Sequence, residues 1–264
     1  MIVDYHMHLR DSEEALDFSV EGVERFVEVA ARRGVDEIGF SEHVYYFRQT
    51  AEIWTVPYQV ERCRYDLDEY CSAVLEARRQ GLPVKLGLEV DWVPEHAAPL
   101  EELLVPYPWD FLLGSIHFLG ELGLDMEPSL VGELGTERAW ERYFEELGAL
   151  ARSGLVDVLA HPDLVKFFGG PLEWDWSGVV ASLNGVALEV STSGRYKPHG
   201  RLYPEPELLA AAGKADIAIT LASDAHEPAN VGRDVELAID HARAAGYETV
   251  SVFDGRVARQ EPLG

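Results

Sequence analysis

With 264 residues the chain can bury a substantial core, and its length fits one barrel or one large α/β domain. Its formal charge of -25 argues against non-specific binding to nucleic acid or to an anionic membrane, because both want basic patches. The hydrophobic fraction of 47% and mean hydropathy of -0.10 are ordinary for a soluble protein, and no apolar run approaches the roughly 18–20 residues that span a bilayer.

A small phosphorylated substrate stays open, since the local field of a metal site can outweigh a distant acidic surface. No Gly/Ser linker, low-complexity tract or repeat divides the chain, so residues 1–264 read as one domain. The first strand begins at once and leaves no room for a signal peptide, which makes the cytoplasm the expected location. The two cysteines, Cys63 and Cys71, read as reduced and partly buried thiols remote from any chemistry. The sequence carries no signal for an oligomeric state.

Apolar runs alternate with longer amphipathic stretches. Residues 1–5 read as a strand, followed by His6-Met7-His8. Residues 19–33 carry apolar positions at helical spacing, and Gly34 closes that helix. A second strand at 35–40 runs into Ser41-Glu42-His43. An aromatic loop follows at 44–58, then a helix at about 65–80. The third strand, 84–88, ends in Glu89-Val90-Asp91. After a helix near 96–104, the run 111–116 ends in His117. A helix at about 136–152 leads to a strand at 156–160 that ends in His161-Pro162-Asp163. The strand at 185–190, with Glu189 near its end, runs into a basic loop, and the one at 217–221 ends in Ser223-Asp224-Ala225-His226. A helix at about 231–245 and a strand at 249–253 complete the series.

Strand followed by helix along the whole chain favours a parallel α/β sheet, and continuously apolar strands imply burial on both faces. Polar groups at many strand ends suit a closed barrel of seven or eight βα units, whose C-terminal strand ends share one mouth. An open doubly wound sheet concentrates its site at one switch point instead. No Gly-rich phosphate loop follows any strand.

The strand-end groups are His6, His8, His43, Glu89, His117, His161, Asp224 and His226, which include six of the nine histidines. In an extended strand residues two apart share a side, so His6 and His8 can converge on one ion. Imidazole and carboxylate without thiolate suit Zn, Mn or Fe. Eight ligands exceed what one four- to six-coordinate ion accepts, so two or three divalent metals are expected, with Glu89 the best bridge. Two neighbouring ions suit phosphoester hydrolysis, because they activate water at neutral pH and clamp a phosphoryl oxygen.

In order along the chain, Asp4-Tyr5-His6-Met7-His8, Ser41-Glu42-His43, Gly87-Leu88-Glu89, Gly114-Ser115-Ile116-His117, Ala160-His161-Pro162-Asp163 and Ser223-Asp224-Ala225-His226 resemble the successive motifs of the polymerase and histidinol phosphatase (PHP) family. The resemblance implies a distorted (β/α)7 TIM-like barrel with a trinuclear centre at the C-terminal ends of the strands. By motif, one metal takes His6, His8, Glu89 and Asp224. A second shares Glu89 and takes His117 and His161, and a third takes His43 and His226. The family's further histidine after the first pair is absent, and Asp11 or Glu14 stands in its region, with Asp11 preferred.

The activity implied is hydrolysis of L-histidinol phosphate in histidine biosynthesis, with a nucleotide, a cyclic phosphodiester or another small phosphate ester as the alternative. On the substrate side, Arg195 is the first choice for a phosphate contact, since guanidinium binds phosphate bidentately. Lys166, Arg48 and His199 are further substrate contacts, while Lys197 and Arg201 read equally well as surface charge. The loop at 44–58 reads either as a substrate cover or as barrel capping. Asp163 either supports a ligand histidine or protonates the leaving oxygen. Trp174 and Trp176 read as packing residues.

Two other classes fit less well. A non-catalytic relative would have eroded ligands and an appended domain. An amidohydrolase barrel also opens on His-x-His but usually bridges its metals with a modified lysine, and here that position holds Glu89.

Overall fold

The computed structural model describes residues 1–12, 15–126, 134–168 and 174–264. Its centre is a ring of parallel strands. β1 (Val3–Asp4) pairs with β2 (Glu37–Phe40), and β2 pairs with β3 (Val84–Leu86). β4 (Glu89–Asp91) resumes β3 after a break at residues 87–88 and pairs with β5 (Leu113–Ser115). The sheet continues through β6 (Val158–Leu159) and β7 (Ala187–Ser191) to β8 (Ile219–Ala222). The backbone of Tyr5 donates to Leu221 O at 3.1 Å and that of His8 to Ala225 O at 2.8 Å, which joins β8 to β1. Across the break, Gly87 N–H donates to Phe40 O at 2.8 Å and Glu89 N–H to Glu42 O at 2.9 Å. With β3 and β4 taken as one interrupted strand, seven parallel strands close the barrel expected from the alternating pattern.

Phe111 explains much of the interior. Its ring stacks on Tyr5 with centroids 5.0 Å apart. A Cβ placed at Gly87 would lie 2.3 Å from this ring and one at Gly39 only 2.6 Å away, so glycine at both positions admits the ring. Phe253 completes the aromatic cluster, 5.8 Å from Tyr5.

The helices form where periodicity and caps agree. α1 (Val20–Arg32) is capped by Ser19, whose hydroxyl accepts from Gly22 N–H at 2.9 Å, and Gly34 follows it at φ +71°. α2 (Leu67–Arg79) starts at Asp66, which accepts from Asp68 N–H at 2.9 Å. α3 (Ala97–Leu104) and α4 (Thr136–Ser153) follow the expected stretches. α5 (Trp176–Ala181) and α6 (Pro206–Lys214) fall where the sequence reading placed no element, because six and nine residues carry little periodic signal. α7 is Val235–Ala244. Trp174 and Trp176 pack beside Trp140 and Phe144, with centroids 5.5 Å apart for Trp140–Trp174 and 5.7 Å for Phe144–Trp176.

The last predicted strand is not part of the ring. β9 (Thr249–Asp254) turns through Gly255-Arg256 onto β10 (Val257–Pro262) as an antiparallel hairpin. The turn residues have φ +56° and +63°, the mirror-image turn that matches strand twist. Among the described residues, no helix is long and apolar enough to cross a membrane.

Candidate metal centre

The chain beyond β1 carries His6 and His8 on one side, and both are fully buried. Glu89 opens β4 at the middle of the group. Its Oε2 lies 2.6 Å from His43 Nδ1, 3.5 Å from His6 Nε2 and 3.9 Å from His8 Nε2. Its Oε1 lies 3.2 Å from His161 Nε2 and 3.5 Å from His117 Nε2. Asp224 Oδ1 stands 3.7 Å from His6 Nε2, 3.5 Å from His8 Nε2 and 3.4 Å from His226 Nδ1. His161 and Asp224 sit just past their strands at φ +27° and +52°, strained values of the kind that concentrate at functional sites.

Carboxylates stand behind three of the imidazoles. His6 Nδ1 donates to Glu189 at 2.7 Å, His8 Nδ1 to Glu42 at 3.4 Å and His117 Nδ1 to Asp91 at 3.2 Å. With Nδ1 protonated, each Nε2 keeps its lone pair for the centre. Glu189 also accepts from His161 N–H at 3.1 Å, and Asp91 from Gln59 Nε2 at 2.6 Å. These supports were not among the sequence candidates. Asp91 could have been found, because it lies two residues after Glu89 in an extended strand.

The donor set fits divalent cations. His6 Nε2 and His8 Nε2 are buried without a hydrogen-bond partner, and the close pair His43 Nδ1 and Glu89 Oε2 lacks hydrogen-bond geometry, which is costly unless a ligand satisfies these atoms. Four overlapping groups bring their ligand atoms within 4.8 Å of one another: His8, His43, His226; His6, Glu89, His161; His6, His8, Asp224; and His43, Glu89, His117. Nitrogen and oxygen ligands without thiolate suit Zn, Mn or Fe.

The titration pattern follows the crowding. Burial pushes Glu89 up, but His43, His6 and His117 outweigh it and hold the carboxyl well below its ordinary range. Asp224 is likewise held well below, against its burial, by His6 and His226. Burial opposes charge on His117, yet Glu89 and Asp91 push it up to about 10. Burial, then the neighbouring His8, depresses His226 to about 3.

A cleft of about 150 Å³ opens on this group, with Arg10, Tyr45, Tyr46, Tyr58, Lys197 and Tyr203 among its walls. Several proposed substrate contacts stand elsewhere. Arg195 pairs with Asp234 at 3.1 Å and does not line the cleft; Lys197, two residues on, does. Arg48 is exposed and bound to Asp66 at 2.8 Å. His199 faces Tyr203 Oη at 3.1 Å, behind the cleft wall. Lys166 is fully buried, held by Asp163 at 2.9 Å, Glu205 at 2.8 Å and Leu202 O at 2.6 Å. Asp163 is equally buried, also accepts from Glu205 N–H at 2.8 Å, and does not line the cleft. The Asp11 side chain and Glu14 lie outside the described residues.

Comparison with known proteins fits this geometry. The chain is 32% identical over 237 residues to a probable histidinol-phosphatase of Deinococcus radiodurans, covering 86% of this chain and 88% of that protein. It is 26% identical over 247 residues to the histidinol-phosphatase of Bacillus subtilis, covering 81% and 90% respectively. The crystal structure of histidinol phosphate phosphatase from Lactococcus lactis, complexed with zinc, L-histidinol and phosphate, shares the fold with a TM-score of 0.75, 21% identity and 98% coverage of each chain. The model of the PHP domain matches residues 4–193, the span that carries seven of the eight strand segments and all the histidines of the centre except His226. On the motifs, the barrel and this match together, the chain belongs to the PHP domain family.

Proposed function

We propose that this protein is a metal-dependent phosphomonoesterase that hydrolyses L-histidinol phosphate to L-histidinol and phosphate. The observation that carries the reading is the group of Glu89, Asp224 and six histidines at the floor of a small cleft, with Glu89 and five of the histidines buried and Asp224 and His226 at its partly exposed rim. The curated relatives bearing the histidinol-phosphatase name support the substrate.

His6, His8, His43, Glu89, His117, His161, Asp224 and His226 would hold two or three divalent ions. When bound, such ions activate water for attack on phosphorus and offset charge on the phosphoryl oxygens. The chain's own part is orientation. Glu189, Glu42 and Asp91 fix three imidazoles with Nε2 inward, and Asp163 with Lys166 braces the loop that carries His161. Arg10 and Lys197, the cations among the described cleft walls, take the outer phosphoryl oxygens in the role first expected of Arg195. The tyrosine walls limit water and face the departing alcohol.

The test is phosphate release from L-histidinol phosphate by protein as purified, after chelation, and after restoring Mn or Zn, beside a panel of nucleotides and sugar phosphates. Metal-dependent release selective for histidinol phosphate is expected. Release from the nucleotides alone would reject the substrate and keep the metal centre.

A further inference from the structure

Next to the metal cleft, and sharing Arg10, Tyr46 and Tyr58 with it, is a larger cavity of about 510 Å³. Its described walls add Arg62, Arg64, Tyr65 and Glu61. Three guanidinium groups around one hollow run against the composition, which has 22 basic residues to 47 acidic ones. Their mutual repulsion is relieved by an anion.

The two outer arginines are free to bind one. Arg62 donates to Tyr58 O at 2.9 Å and lies over the Tyr58 ring at 3.4 Å, a stack that presets its direction. Arg64 donates through Nε to Glu61 O at 2.7 Å. All three contacts are to a backbone carbonyl or a ring, and neither arginine has a carboxylate partner among the described residues. Each retains N–H groups for a bidentate carboxylate.

The remaining walls narrow the ligand. Glu61 repels a phosphate dianion but accepts from an ammonium group. Tyr46 and Tyr65 add aromatic walls for a planar side chain, beside the Tyr58 ring that Arg62 covers on one face. A carboxylate, an ammonium and a ring on one small molecule answer all three features. We propose that this cavity binds a zwitterionic α-amino acid with a planar ring, at the entrance to the metal cleft.

The test is calorimetric titration of the full-length protein as purified with L-phenylalanine, whose ring carries no metal-ligating nitrogen. Saturable binding in the millimolar range or tighter is expected, and 3-phenylpropionate, which lacks the ammonium group, should bind several-fold more weakly. Arg64→Glu, at an exposed site with one backbone contact, should weaken L-phenylalanine about tenfold or more, and Arg62→Ala should do the same. Both substitutions leave every metal-site residue in place, so an amino acid held by the metals would bind all three proteins alike. Equal affinities across the three proteins, equal affinity for 3-phenylpropionate, or no saturation by roughly 10 mM overturns the proposal. These readouts use no phosphate ester, so their failure is distinct from failure of the phosphatase reading.

Discussion

His6 donates through Nδ1 to Glu189 at 2.7 Å, and that one bond turns its Nε2 toward both Glu89 and Asp224. Glu189→Gln keeps the shape but removes the charge that fixes the tautomer. Metal affinity should fall by about 10–100-fold with the fold intact. Competition against a chromophoric chelator measures it, and wild-type affinity would dismiss the assigned role.

Gln59 reaches the centre at one remove, through Asp91 to His117. Gln59→Ala strips one oxygen of a buried carboxylate of its donor and should cost about 1–3 kcal/mol of stability. Urea unfolding of wild type and variant under matched metal conditions provides the comparison. An unchanged midpoint and slope would mean that another donor replaces it.

Glu89 carries the charge around which five imidazoles gather. Glu89→Gln should lower both metal content and phosphate release, the latter by roughly a hundredfold or more. Metal analysis of the purified variant separates loss of an ion from loss of chemistry. Full metal content with full activity would remove Glu89 from the bridging position.

His199 supplies a pH test outside the centre. Partial burial, together with Lys166, Arg201 and Lys197, lowers it from 6.5 to about 4. On acidification the unfolded chain takes up this proton first, so the unfolded state binds more protons between those values. The group's contribution is therefore intact above 6.5 and is lost as pH falls toward 4. His199→Gln should flatten the stability profile in that window, and NMR titration of the wild-type ring should show a midpoint near 4. A midpoint near 6.5 would refute the burial argument.

The barrel was legible because its signals are local: apolar runs of strand length, capped amphipathic helices, and glycine at helix ends. The gathering of strand-end histidines followed from geometry, since parallel strands in a barrel all point one set of ends to one mouth. The cation contacts were not legible in the same way. Arg195 and Lys197 are near neighbours with similar chemistry, and what separates them is Asp234, which lies far along the chain and captures Arg195. Lys166 reads as a substrate contact from its place just after His161-Pro162-Asp163, while the partners that bury it, Glu205 and the Leu202 carbonyl, lie on a different loop. Arg10 follows His8 directly, yet only the folded cleft shows that it faces inward.

The Phe111 ring occupies the space that side chains at Gly39 and Gly87 would need. Three positions far apart in the chain are thereby tied into a single evolutionary unit. Alanine at Gly87 is blocked until residue 111 has first become smaller, alanine at Gly39 meets the Tyr5 ring as well, and shrinking residue 111 leaves a void against Tyr5. Mutational paths through this part of the barrel have a preferred order. Lineages that keep the phenylalanine are expected to keep both glycines with it.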